Sequence, residues 1–581
     1  MPVISGYAPA FPRPLVAGER LRAPTQNADI FSRPDMSRGR GLAEQNAQSL
    51  NRAEITIGGR SLQALRTWTR QVCVQSAQDW MQQALGIAPA VDSTAPHPQP
   101  LSPEYRGEGG VHPAVQSGLL FVTGHQPSLN HPGVWVKNVA VAHLARCSGG
   151  QGLNLIVDND LAGPPAIRVP AGTRAEPHFS QVPFDTDVPT EPWEERELQN
   201  PALFHSFPQR VNAEVASWGF APTLAESWPA AVSALDRTKN VATLLTACRV
   251  ADERSWDVAN LELPVSVLCQ TEPFLVFALD LIQSFERFFE AYNGAVHRYR
   301  AAYGVRNHRH PVPDLERQQD RFELPFWYWE AGARDRQRLF ASRQPDRIDL
   351  FAGDRCVGSV PVSGHDVSSL QQLQSRCRLR TRALTTTLFT RLCLSDLFLH
   401  GIGGARYDEI TDLLFGSFYG IDAPGFLTLT ATVRLPLEPF PVTQKQISAL
   451  KQRLRRLQFH GPDATDSSRV AELKQEQTAL IAAARSQKEQ GLSRSERRAR
   501  RAENRRRHLQ LKQCQVELAS LATAAIEQTR QELETAIEQL RANRVLASRE
   551  FPACLFPREL LQPAVDRLRR QTCGQRAADR R

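Results

Sequence analysis

The sequence predicts an α/β core followed by a long helical arm. Two patterns indicate this: a strand–loop–helix–strand unit near residues 118–157, and apolar residues spaced by three and four positions after Thr443. The length agrees, since 581 residues exceed the roughly 250–300 at which a single core stops growing. We therefore expect at least two folded units.

The segments before the core differ from it in composition. Residues 1–50 are rich in Pro, Arg, Asn and Gln and have few regularly spaced apolar positions, which predicts a disordered leader. Within residues 51–90, apolar side chains recur at helical spacing from Leu62 to Trp80, so we expect a helix that packs on the core. Residues 91–117 are rich in Pro, Gly and Ser, and their sequence is similar to a translated bacterial repeat element. This composition predicts a disordered insertion.

The core is expected to span residues 118–440 and to open with a βαβ unit. Residues 118–123 predict a buried strand, 134–146 a helix and 153–157 a second strand. Polar residues follow both strands. In open α/β sheets, ligands bind at that edge.

The turn after the first strand, residues 124–133, combines two His, a Gln and an Asn. The start of a helix offers free N–H groups and the positive end of its dipole, which favour an anion. We expect His125, His131 and Lys137 to hold such an anion. The alternative is that the polar side chains only satisfy backbone groups of the turn. The remaining residues assigned to this candidate site are Gly124, Gln126, Asn130, Gly133 and Asn138.

Asp158, Asn159 and Asp160 follow the second strand. Paired carboxylates at a strand end are able to orient an amine, hold a hydrated Mg²⁺ or act as a base. We assign catalytic roles to Asp158 and Asp160, with Asn159 beside them. An Asx turn or a helix cap is the alternative.

The rest of the core is less regular. A strand-like piece at 264–268, a helix over 274–292 and the Trp-rich residues 325–329 predict further α/β elements with insertions. Residues 388–398 are expected to be helical or buried, followed by a helix over 405–415 and a strand over 426–435.

A glycine-rich segment, residues 399–409, precedes the predicted helix at 405–415. Its glycines permit close approach of the backbone to a ligand, and we expect Asp408 and Glu409 in the first turn of the helix. Capping of the helix by these two carboxylates is the structural alternative. We assign Asp408 a catalytic role, in which it orients an amine or a metal together with Asp158 and Asp160. The residues assigned to binding in this part of the site are His400, Gly401, Gly403, Gly404, Tyr407 and Glu409.

Residues 441–545 predict a coiled-coil domain, with breaks near 461–462 and 491 that favour an antiparallel hairpin or small bundle. Residues 546–581 are expected to return to the core and end in a basic tail. The net charge of +9 is concentrated in 494–507, with eight Arg and two Glu, and in 565–581, with six Arg and two Asp. A nearly neutral body argues against a dedicated DNA-binding domain and leaves open an RNA or acidic protein partner for the arm.

Other classes are excluded by missing patterns. The ten Cys lie far apart without a CxxC pair, which argues against a zinc knuckle or redox dithiol and predicts reduced, mostly buried thiols. The start lacks the features of a signal peptide, and no apolar stretch approaches the about 20 residues that cross a bilayer, so we expect a cytoplasmic protein. The motifs of P-loop, HExxH, GxSxG and kinase enzymes are also missing.

With these residues described, the chain resembles the family of bacillithiol-biosynthesis cysteine-adding enzymes. Residues 123–133 through Lys137 are similar to that family's TGQQ-type loop and its following helix, and 399–412 to its Gly-Gly-x-x-x-Tyr segment. A predicted coiled coil and the closing residues 551–557 follow in the same order. The resemblance covers about residues 118–560. Its matching positions are Gly124, Gln126, Gly133, Lys137, Gly403, Gly404 and Tyr407.

The resemblance implies a Rossmann-like core of the nucleotidylyltransferase type, a coiled-coil domain used for dimerisation, and formation of an amide between cysteine and an amino-sugar conjugate. A nucleotide such as ATP or ADP, with or without Mg²⁺, is the cofactor to consider. The sequence departs from the family at His125, which replaces a Gln, and at Asn130 and His131, which replace small or apolar residues. Asp158 to Asp160 stand where the family has a longer motif containing acidic residues and His.

These features lead to two main hypotheses. The first is an enzyme that forms a C–N bond, or transfers a nucleotidyl or acyl group, with a small anionic substrate in the α/β cleft. The second is a non-catalytic α/β scaffold whose Arg-rich arm binds RNA or an acidic protein. A third, an interaction protein that acts through residues 1–50, has only composition in its favour.

Overall fold

The computed structural model describes residues 21–88, 118–462, 467–485 and 493–573. It is a mixed α/β fold, and the chain divides into two compact units. The α/β unit takes in the residues up to Val169, Ser180–Leu435 and the residues from Arg549 onward. The helical unit consists of Pro170–Phe179 and Pro436–Ser548. The insertion predicted at 91–117 lies outside the described residues.

The strands, in chain order, are β1 Asp29–Arg33, β2 Thr56–Ile57, β3 Arg60–Ser61, β4 Leu120–His125, β5 Gln151–Ile156, β6 Ala166–Gly172, β7 Pro177–Pro183, β8 Leu261–Pro264, β9 Arg317–Gln318, β10 Arg321–Glu330, β11 Gln337–Arg343, β12 Arg347–Ala352, β13 Arg355–Pro361, β14 Cys377–Thr381, β15 Leu397–His400 and β16 Leu427–Thr432.

The α-helices are α1 Gly39–Arg52, α2 Leu62–Trp80, α3 Pro132–Ser148, α4 Pro201–His205, α5 Phe207–Val215, α6 Leu224–Ala234, α7 Val241–Arg254, α8 Val265–Leu268, α9 Glu272–Gln283, α10 Phe285–Tyr303, α11 Ser368–Gln374, α12 Ala383–Phe389, α13 Ile402–Leu414, α14 Gln444–His460, α15 Ser468–Arg485, α16 Arg494–Leu521, α17 Thr523–Leu546 and α18 Arg558–Cys573. Single turns of 3₁₀ or π helix extend several of them.

The central sheet has the strand order β1-β16-β15-β4-β5-β8. All neighbouring pairs are parallel except β1 with β16. From β4 the chain proceeds outward to β5 and β8, and it later returns to the opposite side of β4 to form β15 and β16. The order therefore reverses between β4 and β15, and a reversal of this kind leaves a crevice at the carboxyl ends of the two strands.

Both faces of the central sheet are covered. Leu120, Val122 and Leu153 belong to a large apolar cluster that also contains side chains of α2, α9 and α10. Helix α3 packs on the other face and contacts α18. The parallel strands are consequently mostly buried, as expected for parallel strands joined by helices.

A second sheet, antiparallel, has the order β13-β12-β11-β10-β14, with β9 paired to β10. The Trp-rich residues 325–329 lie in β10, where Phe326 and Trp329 are fully buried. Residues 165–380 thus contain the further α/β elements that were predicted. The expected strand at 264–268 is wrong beyond Pro264, since α8 begins at Val265.

Several predicted helices are confirmed with small changes. Helix α2 begins after Ser61, whose hydroxyl accepts from Ala64 N, and the following π turn ends at Gly86, whose φ of 69° suits a residue without Cβ. The helix predicted over 274–292 is wrong as a single element, because it breaks at Ser284 into α9 and α10.

The leader predicted as disordered over residues 1–50 is wrong for its described part. Strand β1 pairs antiparallel with β16, and α1 follows it. The buried Asn46 side chain donates to Asp396 O and Gly425 O, each at 2.7 Å, and accepts from Gly425 N. These residues are ordered by contacts with the end of the core rather than by their own apolar pattern.

The helical unit contains α14 to α17. Helix α14 begins with a capping box between Thr443 and Gln446, and α16 with one between Ser493 and Glu496. The apolar residues Val470, Leu473, Cys514 and Leu518 form a small cluster between α15 and α16. The predicted break at 461–462 coincides with the end of α14, whereas position 491 lies outside the described residues.

The cysteines follow the prediction in most positions. The free thiols are Cys356, which is exposed, and seven buried residues; Cys147 departs from the expectation because it is in a disulfide. None of the described helices is both long and apolar enough to cross a bilayer.

Candidate functional site

The candidate site lies at the crevice between β4 and β15. Strand β4 ends at His125 and β15 at His400, and helices α3 and α13 begin just beyond them. The Thr123 hydroxyl joins the two strands by donating to Leu399 O at 2.8 Å. Two of the predicted polar segments, 124–133 and 400–409, are therefore neighbours in space.

His131 caps the N-terminus of α3. Its Nδ1 accepts from Gly133 N at 3.1 Å, and Pro132 occupies the first helical turn. Since Nδ1 accepts a hydrogen bond, the proton of the neutral ring is on Nε2, which leaves a donor. A side chain at Gly133 would place its Cβ 2.4 Å from Arg549 Nη2 and 2.7 Å from Ala431 O, so only glycine fits.

Lys137 lies one turn into α3 and is only 3% exposed. Its Nζ donates to Gly124 O at 3.1 Å. Among the described residues it has no carboxylate within ion-pair distance. Burial lowers the pKa of Lys137 to about 8. A buried ammonium without a counter-ion is rare and destabilising. A negatively charged group bound beside Lys137 would offset this cost.

The imidazoles around Lys137 are neutral at pH 7. Burial and the charge of Lys137 lower the pKa of His125 to about 3. Burial, with Arg549 and Lys137, lowers the pKa of His131 to about 4. Burial also lowers the pKa of His400, against the opposing effect of Asp408. The cationic charge here is carried by Lys137 and Arg549, while the imidazoles supply neutral hydrogen-bonding groups.

Asp160 also faces this site. Gln126 Nε2 donates to its Oδ2 at 2.9 Å, and Arg336 Nη2 lies 3.1 Å from its Oδ1. Burial raises the pKa of Tyr407 to about 12, and the negative charges of Asp408 and Asp160 contribute to the increase. The side chain of Asp160 is 40% exposed and so remains open to a ligand.

Asp158 does not face the same site as Asp160. It lines a separate polar pocket at the carboxyl ends of β5 and β8, together with Glu194, Ser266 and Arg378. Its carboxylate accepts from the Ser266 backbone N–H and hydroxyl, while burial and Glu194 raise its pKa to about 7. Asn159 Nδ2 donates to Thr381 O at 2.8 Å. The three consecutive residues thus have three different environments.

Asp408 is held by buried partners. Its Oδ2 lies 2.5 Å from Arg391 Nη1 and 2.8 Å from His400 Nε2, and the residue has no exposed surface. Burial alone would raise the pKa of Asp408, but Arg391 and His400 hold it well below the usual range. Helix α13 begins at Ile402, so the prediction that Asp408 and Glu409 lie in its first turn is wrong. Glu409 accepts from the Tyr303 hydroxyl at 2.6 Å.

The first turn of α13 has no side-chain cap, since its N-cap is Gly401. A Cβ at Gly404 would lie 2.8 Å from His400 Nδ1 and 3.4 Å from Tyr407 Oη, whereas the exposed Gly403 has open space around it. The glycines therefore leave backbone N–H groups of this turn open beside His400 and Tyr407.

The remaining predicted residues have structural contacts. Asn138 is buried and its Nδ2 donates to Glu253 Oε1 at 2.6 Å. Asn130 Oδ1 accepts from Ser128 Oγ at 3.1 Å within the turn. A Cβ at Gly124 would lie 3.1 Å from Leu155 O, so glycine suits the close packing of β4 on β5.

Sequence reasoning missed three arginines of the site. Arg549 Nη2 donates to Thr430 Oγ1 at 3.0 Å beside His131, Arg336 holds Asp160, and Arg391 holds Asp408. Arg549 and Arg336 reach the site from distant parts of the chain, so no local pattern links them to the turn at 124–133. Among the described residues, no group of three or more His, Cys, Asp or Glu side chains is arranged to hold a metal ion.

Neither the models of known protein families nor the curated proteins contain a match to this chain.

Proposed function

We propose that the chain is an enzyme that binds a small anionic substrate in the crevice between β4 and β15. The reaction that fits the resemblance to the cysteine-adding enzymes is formation of a C–N (amide) bond, or a related nucleotidyl or acyl transfer. The observation that carries the proposal is Lys137, a buried ammonium without a carboxylate partner among the described residues. The strand order with its reversal between β4 and β15 supports a Rossmann-like core.

The electrostatics favour an anion over other ligands. Lys137 and Arg549 are cations, and the N-termini of α3 and α13 add N–H donors and the positive ends of two helix dipoles. A phosphate of ATP or ADP, or a carboxylate, would receive hydrogen bonds from Lys137 and from Nε2 of His131. Binding of the anion would replace the solvation that Lys137 lost on folding.

Asp160 suits the amine partner of such a reaction. The carboxylate of Asp160, fixed by Gln126 and Arg336, would attract and orient an ammonium. Amide formation joins the amine nitrogen to the carbonyl carbon of an activated carboxylate, releases the activating group and sets free a proton. That proton passes to solvent water, because burial lowers the pKa of His125 to about 3 and leaves its ring a weak base. Asp158 and Asp408 have other partners and would act through positioning.

Calorimetric titration of the full chain with ATP, ADP and inorganic phosphate tests the proposal. We expect binding of at least one anion and a loss of about tenfold or more in affinity in Lys137→Met, because a charged hydrogen bond is removed. Lys239→Met, at an exposed position of the same unit, is the matched control and should bind as the unmodified protein does. Equal affinity in Lys137→Met, or no anion binding by the folded protein, would contradict the proposal.

A second function rests on the Arg-rich helix α16. The structure exposes the side chains of most residues from 494 to 506, among them Arg497 and Arg501, on one long helix. Such a surface is able to bind RNA or an acidic protein. If it does, binding of a single-stranded RNA should fall steeply with salt and be lost when Arg497, Arg498, Arg500 and Arg501 are changed to Gln. Retained binding would reject this function.

We also propose that the protein is cytoplasmic. The resemblance implies a homodimer formed through a coiled coil of α14 to α17. Sedimentation of the full chain tests the dimer: a species of twice the 64.9 kDa mass is expected, and a monomer at all concentrations would exclude it.

A further inference from the structure

A polar pocket lies at the carboxyl ends of β5 and β8, beside the N-terminus of α7. Its volume is about 390 Å³, within the range of about 300–1,000 Å³ that is usual for small-molecule pockets. Hydroxyl, amide and charged side chains form most of its wall, and the apolar part consists of Trp80, Ile156, Ala242 and Pro264. We call it the β5–β8 pocket. The described residues that line it include none of those assigned to the crevice between β4 and β15.

Asp158 is the carboxylate of this wall that has acceptor positions to spare. It is only 5% exposed, and it accepts from Ser266 N at 2.9 Å and from the Ser266 hydroxyl. An ionised carboxylate has about four acceptor positions, so these two bonds leave two open. Among the described residues, Asp158 forms no ion pair, and the charges that act on it most are those of Glu194 and Arg380. Donors from a ligand would therefore complete the hydrogen bonding of a buried carboxylate.

The other charges near the pocket are paired with each other. Glu194 accepts from Arg380 Nε at 2.9 Å and from Nη2 at 2.8 Å. Arg378 Nε donates to Glu195 at 3.0 Å. An anion in the pocket would lie beside both Asp158 and Glu194, and a purely apolar ligand would leave the polar wall unpaired. The pocket thus favours a polar ligand without negative charge, and the neutral hydrogen-bonding side chains of its wall are those of Asn240, Thr243, Thr246, Ser266 and Gln270.

The position of Asp158 in the sheet indicates which donors fit it. Asp158 follows β5, the strand next to β4, and Val157 N donates to His125 O at 2.9 Å where the two strands end. In dinucleotide-binding sheets of the βαβ type, an acidic residue after the second strand accepts from the ribose hydroxyls. The two neighbouring hydroxyls of a ribose match the two open acceptor positions of Asp158. Trp80, half-buried in the same wall, offers an aromatic surface on which a base can stack.

We infer that the β5–β8 pocket binds a ribonucleoside, with the ribose hydroxyls on Asp158 and the base against Trp80. The pocket supplies both halves of such a ligand with a partner: an acceptor for the sugar and a ring for the base. This inference does not depend on the proposed function, because it rests on Asp158 and Trp80 and not on Lys137.

Ligand-observed NMR titration of the full chain with adenosine and uridine tests the inference, and the 2′,3′-dideoxy form of each nucleoside is the comparison. The titrations are done at pH 8, because burial raises the pKa of Asp158 to about 7. We expect at least one of the two ribonucleosides to bind about tenfold or more tightly than its dideoxy form, which lacks the hydroxyl donors to a buried charged acceptor.

Two variants separate the roles of the sugar and the base. Asp158→Asn keeps the shape of the side chain and removes its charge, so the two forms of the nucleoside should bind with similar affinity. Asp346→Asn is the control, at a carboxylate whose side chain is 78% exposed, and should behave as the unmodified protein does. Trp80→Leu should weaken the binding of both forms by a similar factor and so keep the preference for the ribonucleoside.

Thermal melts establish that each variant is folded. The inference is overturned if neither ribonucleoside binds to the folded protein, if the dideoxy forms bind equally well, or if folded Asp158→Asn retains the preference. If Asp158→Asn does not fold, unchanged affinity in Trp80→Leu overturns it instead. Loss of the preference in Asp346→Asn would also overturn it, since overall charge rather than Asp158 would then explain the difference.

Discussion

Replacing Lys137 by Met should make the α/β unit more stable while removing anion binding. Folding lowers the pKa of Lys137 from 10.5 to about 8, which corresponds to a penalty of about 3 kcal/mol for the buried ammonium at pH 7. Methionine removes this penalty. It leaves Gly124 O without its donor, at a cost of about 1 kcal/mol. The expected net gain at pH 7 is about 2 kcal/mol.

The stability difference between Lys137→Met and the unmodified protein should depend on pH. Between about pH 8 and 10.5 the unfolded chain holds a proton on Lys137 that the folded state has lost, so the stability of the unmodified protein rises with pH in this window. The advantage of Met should therefore shrink toward zero by about pH 9.5. Phosphate at about 10 mM should also reduce the difference in unfolding free energy between Lys137→Met and the unmodified protein at pH 7, because the anion stabilises only the protein that binds it.

Tryptophan fluorescence during urea unfolding is a suitable assay. All nine Trp lie outside residues 170–179 and 436–548, so the signal reports the α/β unit alone. The Lys239→Met control should change the unfolding free energy by less than about 0.5 kcal/mol. A Lys137→Met protein that is less stable than the unmodified chain at pH 7, or whose advantage does not change with pH, would show that Lys137 is not an uncompensated buried cation.

Three further changes test other parts of the structure. His131→Ala removes the cap of α3 and should lower the free energy of unfolding by about 1 kcal/mol, whereas His131→Asn keeps a capping side chain. His131→Ala should therefore have a lower melting temperature than His131→Asn. Equal melting temperatures of the two variants would exclude a capping role. Arg391→Met removes the guanidinium that faces the buried Asp408 and should lower the free energy of unfolding in urea by about 3–5 kcal/mol, whereas the exposed control Arg254→Met should change it little. A small loss in Arg391→Met would mean that Asp408 does not need its guanidinium partner. Asp252→Asn should raise the free energy of unfolding of the α/β unit at pH 8 by up to about 3 kcal/mol. This gain should vanish as the pH falls from about 6 toward 3.8, because the folded protein then holds a proton on Asp252 that the unfolded chain lacks. The same gain at pH 4 in urea unfolding would contradict a raised pKa of Asp252.

The parts of the fold that could be predicted are those with a local signal. Helix α2 combines helical spacing with a Ser cap and a terminal glycine, and β4, α3 and β5 carry buried runs separated by a polar turn. The described part of the leader could not be predicted in the same way. Strand β1 depends on hydrogen bonds to β16, whose residues lie at the opposite end of the core sequence.

The candidate site could likewise be predicted only where its residues are close together in the sequence. The turn at 124–133 and Lys137 were found because strand, turn and helix are consecutive, and their polar residues share one short segment. The alternation of Asp158 and Asp160 between two environments was not predictable from their spacing, because it depends on Ser266 and Arg336.

The pairing of β1 with β16 bears on how the protein is made. Asp29 is opposite Thr432, so about 400 residues must be synthesised before the first described strand meets its partner. Contacts this distant along the chain slow folding, because a long loop closes before its hydrogen bonds form. Until β16 has been added, β15 is an open edge of the central sheet, with N–H and C=O groups free to pair with another chain. Prematurely terminated chains that end before residue 427 would therefore be prone to aggregate through β15.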